Sequence, residues 1–315
     1  MEYRGLGRSG VKVSTVGLGG NQFGGKVDRA GTERIVHAAM DLGVNFIDTA
    51  DVYSRGQSEE VLGAALAGRW DKIVIATKVR SAMGDGPNDR GASRYHVFDG
   101  VHACLRRLNT DHIDLLQIHS WDADTPVEET MRALDDLVSS GKVRYIGASN
   151  YAAWQLCRSN DVAELHGWAS FISVQPHYHM LERGIESELV PYCQAFGVGI
   201  LPYFPLAGGF LTGKYRAGEP APTGSRGASS PYVQRYFTPE NFAKVDKLRT
   251  WAEERGHTMG ELAIAWLLAQ PQLTSVIAGV TSVEQVQANV ETATWKLTPE
   301  DEQAVRAILE ERREV

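Results

Sequence analysis

Short apolar runs alternate with amphipathic segments along most of the chain. Eight of these runs predict strands, at residues 15–18, 45–48, 73–77, 113–117, 144–148, 171–175, 199–203 and 274–278. The segments between and after them carry apolar residues at helical spacing and predict helices at 32–42, 58–67, 93–107, 126–139, 151–158, 185–196, 239–255 and 282–290. The chain therefore predicts an α/β protein.

Strands that alternate with helices pair in parallel through right-handed crossovers, and a count of eight favours closure into a (β/α)8 or TIM barrel. An open doubly wound sheet is the alternative. It commonly carries GxGxxG after the first strand, but residues 17–20 read GLGG and are too short for that pattern. Alternation with a Ser-Gly turn at residues 3–13 predicts an opening β-hairpin, and residues 299–311 predict a C-terminal helix.

The alternation of predicted strands and helices is interrupted at residues 216–238, which are rich in Gly, Pro, Ser and Ala and show no hydrophobic periodicity. A loop of this length in a barrel is commonly a lid or a mobile segment. It follows the seventh strand, near where barrel enzymes often bind phosphate, so we interpret it as a cofactor clasp. A surface excursion without a role stays open as the alternative.

Composition narrows the class of protein. The length of 315 residues suits one barrel domain over residues 1–315, and 43% hydrophobic with 23% charged residues is typical of a globular protein. The net charge of −7 gives no reason to expect nucleic acid or a membrane as a partner. Three scattered cysteines without a metal-ligand spacing, and no signal peptide, indicate a cytoplasmic protein.

Four polar side chains follow consecutive predicted strands: Asp48, Tyr53, Lys78 and His119. In a barrel the C-terminal strand ends share one face, so we expect these groups to meet there. A carboxylate would hold the ammonium, and the ammonium would lower the pKa of the phenol. Such a tyrosine acts as a general acid toward a carbonyl oxygen, with the imidazole orienting that carbonyl.

Each of these residues also has an ordinary structural interpretation. Asp48 suits a cap, Tyr53 the core, Lys78 a side chain that reaches outward to solvent, and His119 a hydrogen-bonded core position. Four such coincidences on adjacent strand ends favour the functional interpretation.

Three further aromatic side chains carry a weaker signal. Trp121 lies two residues past His119, in a loop suited to line a substrate pocket, although core packing explains it almost as well. His177 and His179 have a spacing that metal ligands sometimes use, but no third ligand is evident and no metal is predicted.

The motifs resemble those of the aldo-keto reductase family over nearly the whole chain. FIDTADVY, IVIATK and DLLQIH are similar to the motifs that carry its four active-site residues. GKVRYIGASNY, LPYFPLAGGFLTGKY and IAGVTSVEQVQANV resemble its cofactor segments. The resemblance implies an (α/β)8 barrel that binds an extended nicotinamide cofactor without a Rossmann domain. It also implies Tyr53 as the proton donor, supported by Asp48, Lys78 and His119.

The resemblance further implies a cofactor site along one side of the barrel mouth. Ser149, Asn150 and Gln175 match positions that hold the carboxamide, and Tyr203 matches the ring on which nicotinamide stacks. The remaining predicted positions are Gly20, Asn21, Asp48, Phe204, Leu206, Gly208, Lys214, Arg226, Gly279, Thr281, Gln285 and Asn289.

Some positions depart from the family pattern. Phe204 stands where many members have a serine, and Thr281 and Gln285 stand where many have a basic residue for the 2′-phosphate. A branch with hydroxyl and glutamine there still resembles NADPH binders, so we predict NADPH, with NADH not excluded. Substrate choice does not transfer, since Asn21 and His179 replace other residue types at the pocket.

We therefore predict NADPH-dependent reduction of an aldehyde or ketone, with Tyr53, His119 and Trp121 contacting the substrate. An alternative is an NADPH-binding, redox-sensing regulatory subunit with slow turnover. A third is an aldolase that uses Lys78 as a Schiff-base amine. The sequence leaves the natural substrate, the stereochemistry, the direction of reaction and the oligomeric state undetermined.

Overall fold

The computed structural model describes residues 1–311; the last four residues of the predicted domain, 312–315, lie outside the described part. Ten strands are present: β1 Tyr3–Gly5, β2 Lys12–Ser14, β3 Val16–Gly19, β4 Phe46–Asp48, β5 Val74–Val79, β6 Ile113–Ile118, β7 Val143–Ser149, β8 Phe171–Gln175, β9 Gly199–Ile200 and β10 Val276–Gly279. Strands β3 to β10 are the eight that the sequence predicts.

These eight strands form one parallel sheet in the order β10-β3-β4-β5-β6-β7-β8-β9. Its two outer strands also meet. Ile200 bridges Leu273 and Tyr203 bridges Ile277, both in parallel, and the Ile277 amide donates to the Pro202 carbonyl at 3.0 Å. The sheet therefore curls into a barrel, which confirms the predicted (β/α)8 fold.

The opening hairpin, β1 paired with β2, is confirmed as well. Its Leu6 and Val13 are fully buried and pack on residues from inside the barrel, among them Leu115 and Leu201. Gly7 at the hairpin turn has φ +58°, and an added Cβ would lie 2.0 Å from the Ile172 carbonyl oxygen. The hairpin therefore closes the barrel at the end opposite the C-terminal strand ends.

Helices surround the sheet: α1 Arg29–Asp41, α2 Gln57–Ala65, α3 Arg94–Leu108, α4 Val127–Ser139, α5 Ala153–His166, α6 Leu189–Phe196, α7 Arg226–Ser229, α8 Pro231–Gln234, α9 Pro239–Glu253, α10 Met259–Ala269, α11 Val283–Thr292 and α12 Pro299–Glu310. The predicted C-terminal helix is α12. Among the described residues, none of these helices combines the length and apolar character needed to cross a bilayer.

The structure corrects several predicted boundaries. Helix α10 was not predicted, since Leu262 to Leu268 are buried on all sides and the segment shows no amphipathic period. Helix α5 continues to His166 rather than residue 158. The last barrel strand before the 216–238 segment, β9, is shorter than predicted because Pro202 has no amide to donate to the ladder. Helices α7 and α8 lie in the segment predicted as an irregular loop.

Candidate active site

A cavity of about 570 Å³ lies at the C-terminal ends of the barrel strands. Every residue predicted for the cofactor lines it: Gly20, Asn21, Asp48, Ser149, Asn150, Gln175, Tyr203, Phe204, Leu206, Gly208, Lys214, Arg226, Gly279, Thr281, Gln285 and Asn289. Tyr53 and His119 line it too, while Lys78 lies fully buried. The barrel therefore brings the predicted site residues together.

Lys78 and Asp48 form an ion pair beneath the cavity. The Lys78 Nζ lies 2.6 Å from Asp48 Oδ2, and the two side chains are 0% and 3% exposed. The same ammonium donates to the Thr49 carbonyl at 2.8 Å. Burial acts to lower the pKa of Lys78, but the neighbouring Asp48 carboxylate and Tyr53 outweigh it, so the pKa is raised. Lys78 is therefore held charged.

The second oxygen of Asp48 is also satisfied. Oδ1 accepts from the amides of Gln117 at 3.0 Å and Gln175 at 2.8 Å. Gln117 is the in-register neighbour of Lys78 on the adjacent strand, so the barrel register itself sets this contact. The donors Lys78, Gln117 and Gln175 therefore satisfy both oxygens of this buried carboxylate.

Tyr53 stands directly above this pair. Its hydroxyl lies 3.4 Å from Lys78 Nζ, and its ring meets the His119 ring edge-on with centroids 5.9 Å apart. Burial raises the pKa of Tyr53 and outweighs the lowering by Lys78, so the predicted net lowering of this pKa was wrong. Sequence shows which charge is adjacent but not how strongly burial opposes it. Tyr53 keeps its proton at neutral pH.

The turn after Tyr53 is strained. Ser54 and Arg55 both have left-handed backbones, with φ of 50° and 54°, and the Ser54 hydroxyl donates to the Phe23 carbonyl at 3.1 Å. Consecutive non-glycine residues in this region cost about 1–2 kcal/mol each. The turn therefore holds Tyr53 at one fixed place on the cavity wall.

His119 is a neutral imidazole. Burial first, and then the charge of Lys78, lower its pKa to about 3. Its Nδ1 lies 3.3 Å from the Ser81 hydroxyl, and its carbonyl accepts from the Asn150 side-chain amide at 3.0 Å. A hydroxyl that donates to Nδ1 leaves the proton on Nε2, which suits that nitrogen to donate a hydrogen bond.

Ser149, Asn150, Gln175 and Tyr203 form a second connected group. The Ser149 hydroxyl donates to the Gln175 carbonyl at 2.9 Å, and Asn150 donates to Ser149 Oγ at 3.0 Å. The Tyr203 hydroxyl donates to Asn150 Oδ1 at 2.9 Å. Asn150 has φ 55°, a conformation that asparagine tolerates better than most residues. These contacts fix the amide groups along one wall of the cavity.

Three cations also line the cavity: Lys26, Lys214 and Arg226. Among the described residues that line the cavity, Asp48 alone is acidic, and Lys78 neutralises it. Burial lowers the pKa of Arg226, and no carboxylate contributes to its surroundings. The cavity is therefore suited to an anion with several charges.

The N-terminus of helix α11 adds neutral donors to the same cavity. Gln285 Oε1 accepts a hydrogen bond from the Thr281 amide at 2.8 Å. The side-chain NH₂ group of Gln285 therefore points away from Thr281 and can donate to a ligand. Ser282 caps the helix by accepting from the Gln285 amide at 3.4 Å. A helix N-terminus carries partial positive charge, so this end too favours a phosphate.

The remaining candidates lie elsewhere. Trp121 does not line the cavity; its ring packs edge-on against Tyr151 and Trp154, with centroids 5.3 and 5.5 Å away. His177 and His179 lie in an aromatic cluster beside Tyr203. Within residues 1–311, no three His, Cys, Asp or Glu side chains are grouped as metal ligands.

Sequence reasoning missed Lys26, which reaches the cavity from the loop between β3 and α1. That loop folds back on itself, since the Gly24 amide donates to the Val27 carbonyl and the Val27 amide to the Gln22 carbonyl, both at 2.9 Å. The Gly-Gly pair before Lys26 signals a turn but not the direction in which the lysine points. No local signal would have found it.

An eight-stranded barrel with a charged pair, a tyrosine and a histidine at its C-terminal end has the arrangement of a barrel enzyme. A model of the aldo/keto reductase family matches residues 15–310. The chain therefore belongs to the aldo/keto reductase family, and it is an oxidoreductase that acts on carbonyl groups. Members of this family generally use nicotinamide cofactors.

Three relatives illustrate the breadth of the family. A probable voltage-gated potassium channel subunit beta of Arabidopsis thaliana is 40% identical, over 92% of this chain and 90% of the relative. The versiconal hemiacetal acetate reductase of Aspergillus parasiticus is 35% identical, over 96% and 95%. The uncharacterized oxidoreductase YrpG of Bacillus subtilis strain 168 is 36% identical, over 95% and 93%.

Proposed function

We propose that this protein reduces an aldehyde or ketone to the alcohol with NADPH, and that Tyr53 supplies the proton. One observation carries the proposal. A buried, charged lysine lies between a carboxylate and the tyrosine hydroxyl at the base of the cavity. The reaction is reversible in principle, since the same groups serve alcohol oxidation.

The residues present fit a nicotinamide dinucleotide. When bound, the cofactor supplies a hydride to the carbonyl carbon. Ser149, Asn150 and Gln175 offer amide and hydroxyl groups for the carboxamide, and the Tyr203 ring offers a flat face for nicotinamide. Phe204, Leu206 and Gly208 line the same cavity, as do Gly20, Asn21, Gly279 and Asn289.

Tyr53 holds the proton until the carbonyl oxygen gains charge. Its pKa is raised by burial, so the hydroxyl is the resident form at neutral pH. Lys78 at 3.4 Å stabilises the phenolate that remains after the proton has moved. Asp48 keeps Lys78 in place and charged, which makes it a positioning residue for this step.

His119 orients the substrate in this account. Its low pKa keeps the imidazole neutral, so the ring does not compete with Tyr53 as the acid. With Nδ1 facing Ser81, Nε2 is the nitrogen placed to donate to the carbonyl oxygen. The two donors, Tyr53 and His119, follow β4 and β6, and their rings meet edge-on above β5 with centroids 5.9 Å apart.

Two features favour NADPH over NADH. The first is charge: three cations line the cavity, and Asp48, the one acidic residue among the described lining residues, is paired with Lys78. These lining residues therefore include no further carboxylate that could bind the 2′-hydroxyl of NADH. Thr281 and the free NH₂ group of Gln285, close to the α11 N-terminus, supply neutral donors for a 2′-phosphate.

The direct test is a panel of aldehydes and ketones assayed in parallel with NADPH and NADH. We expect oxidation of NADPH that depends on the carbonyl, with a lower KM for NADPH than for NADH. Lack of turnover on the whole panel, in protein shown to bind NADPH, would contradict the proposal.

That last outcome would favour a second candidate, an NADPH-binding regulatory subunit with slow turnover. One relative, the probable voltage-gated potassium channel subunit beta at 40% identity, supports this candidate by its name. The presence of Tyr53, Asp48, Lys78 and His119 together supports the enzyme instead. The two candidates differ in steady-state turnover and not in cofactor affinity.

A Schiff-base role for Lys78 has little support. A nucleophilic amine must lose its proton, yet Asp48 raises the pKa of Lys78 against the effect of burial. The amine is also fully buried beneath Tyr53. Borohydride treatment with substrate present should leave Lys78 unmodified.

A further inference from the structure

The cluster around His177 joins two parts of the molecule that the proposed function uses separately. One part is Tyr203, whose ring lines the cavity. The other is the 225–237 segment, which contains α7 and α8 and lines the cavity through Ser225 and Arg226.

His177 is a strand neighbour of Tyr203. The two residues form a parallel bridge, and the Tyr203 amide donates to the Pro176 carbonyl at 3.1 Å. Side chains at paired positions of parallel strands lie on the same face. Their rings accordingly stack, with centroids 5.2 Å apart and planes 12° from parallel. His177 therefore restricts the plane of the ring proposed to receive nicotinamide.

His177 also contacts the 225–237 segment through both ring nitrogens. The Tyr232 hydroxyl lies 3.3 Å from Nδ1, and the Tyr236 hydroxyl lies 3.4 Å from Nε2. The Arg235 guanidinium covers the ring of Tyr232 at 4.1 Å and that of Tyr236 at 4.8 Å. Glu182, from outside the segment, pairs with Arg235 at 3.5 Å.

The backbone amide of Leu181 and the guanidinium of Arg235 can only donate, so they fix the direction of several hydrogen bonds in this network. The Leu181 amide donates to His179 Nδ1 at 3.2 Å, so His179 carries its proton on Nε2 and donates to the Tyr236 hydroxyl at 3.1 Å. Arg235 donates to the same hydroxyl at 2.6 Å. With two bonds accepted, the Tyr236 hydroxyl directs its own proton to His177 Nε2.

The Arg235 guanidinium also lies 3.5 Å from His177 Nδ1, the ring atom that faces the Tyr232 hydroxyl. This arrangement requires a neutral imidazole. Burial, reinforced by Arg235, lowers the pKa of His177 to about 4.

Further hydrogen bonds connect this part of the 225–237 segment to the cavity wall. The Gln234 side-chain amide, at the end of α8, donates to the Gly227 carbonyl in α7 at 3.0 Å. The Gly227 amide donates in turn to the Tyr215 hydroxyl at 2.9 Å. Arg226, one residue earlier, lines the cavity.

We propose that His177 is a positioning residue that couples the 225–237 segment to the Tyr203 ring, so that ring orientation and coverage of the cofactor change together. The proposal rests on the proposed cofactor site for its consequence but not for the coupling itself. Without His177, Tyr203 loses its stacking partner and the segment loses two hydrogen-bonded anchors.

A set of full-length variants separates these contacts. His177→Phe keeps an aromatic ring for Tyr203 but removes both hydrogen bonds. Tyr232→Phe with Tyr236→Phe removes the same bonds from the other side. The triple variant combines both changes. Tyr95→Phe, on an exposed tyrosine of α3, is the matched control for loss of a hydroxyl.

The first measurement is hydrogen–deuterium exchange in protein without cofactor. We expect amide exchange in residues 225–237 to rise about tenfold in His177→Phe and in the double tyrosine variant, with no further rise in the triple variant. Tyr95→Phe should match the wild type. Unchanged exchange in His177→Phe, or full additivity in the triple variant, would overturn the proposal.

The second measurement is the rate of NADPH release, followed by stopped-flow fluorescence after a chase. Release should accelerate by a similar factor in the same variants, and unchanged release would remove the functional part of the proposal. If the wild type binds no NADPH, the proposed function fails while the exchange experiment still decides the coupling. Should His177→Phe not fold, Tyr232→Phe alone, at a 43% exposed residue, carries the exchange test.

Discussion

The ammonium of Lys78 lies 3.4 Å from the hydroxyl of Tyr53, at the inner wall of a cavity that Lys26, Lys214 and Arg226 also line. The positive charge of Lys78 stabilises the phenolate of Tyr53. This role explains why a lysine occupies a fully buried position.

Loss of that lysine should cost both activity and stability. Lys78→Met leaves the Asp48 charge buried without its cation, so we expect the free energy of unfolding to fall by about 3–5 kcal/mol. Urea unfolding measures the change. Asp48→Asn added to Lys78→Met should recover most of the stability but none of the carbonyl reduction. Additive losses in the double variant would show that the pair does not act as a unit.

Asp51 predicts an unusual pH dependence of stability. Within residues 1–311, its two buried carboxylate oxygens have no hydrogen-bond partner, and burial, followed by the nearby Glu59 charge, raises its pKa to about 7. The folded protein then holds a proton that the unfolded chain releases near its ordinary pKa of about 3.9. Stability from this group is therefore complete below about pH 4 and is lost as the pH rises to about 7.

The matched comparison is the wild type against Asp51→Asn. Between pH 5 and 6 the wild type should lose about 1.4 kcal/mol per pH unit more than the variant, and the difference in slope should halve near pH 7. Urea unfolding at a series of pH values measures this difference. Parallel stability curves for the two proteins would contradict the assignment of a titrating proton to Asp51.

Cofactor preference should depend on Gln285. A carboxylate at this position would repel a 2′-phosphate. Gln285→Glu should therefore raise the KM for NADPH about tenfold, equivalent to about 1.4 kcal/mol, without raising the KM for NADH. Gln287→Glu, on an exposed position of the same helix, adds the same charge away from the cavity and serves as the control. Equal effects of both variants would point to net charge alone.

Much of the fold was accessible from sequence because its signal is periodic. Strands such as β5 and β6 are short apolar runs that end one residue after Lys78 and one residue before His119, and the spacing of such runs predicted eight strands. Helix α10 was not accessible, because a helix buried on every side has no polar face to reveal its period. Pro202 could have been used to shorten β9, since its missing amide ends the ladder.

The site, too, contains residues that the sequence predicts and one that it does not. Asp48, Tyr53, Lys78 and His119 follow directly from their places after successive strands. Lys26 does not, because the folding of its loop depends on contacts between backbone groups that carry no motif. The direction of the Tyr53 pKa shift also depends on a balance between burial and charge, which only the three-dimensional arrangement supplies.

The measurement that tests the central claim most directly is turnover and NADPH affinity in Tyr53→Phe, determined side by side with the wild type. The account predicts a fall in kcat of about 10²–10⁴-fold, as expected for loss of a general acid, with the Kd for NADPH nearly unchanged. Turnover close to that of the wild type would contradict it.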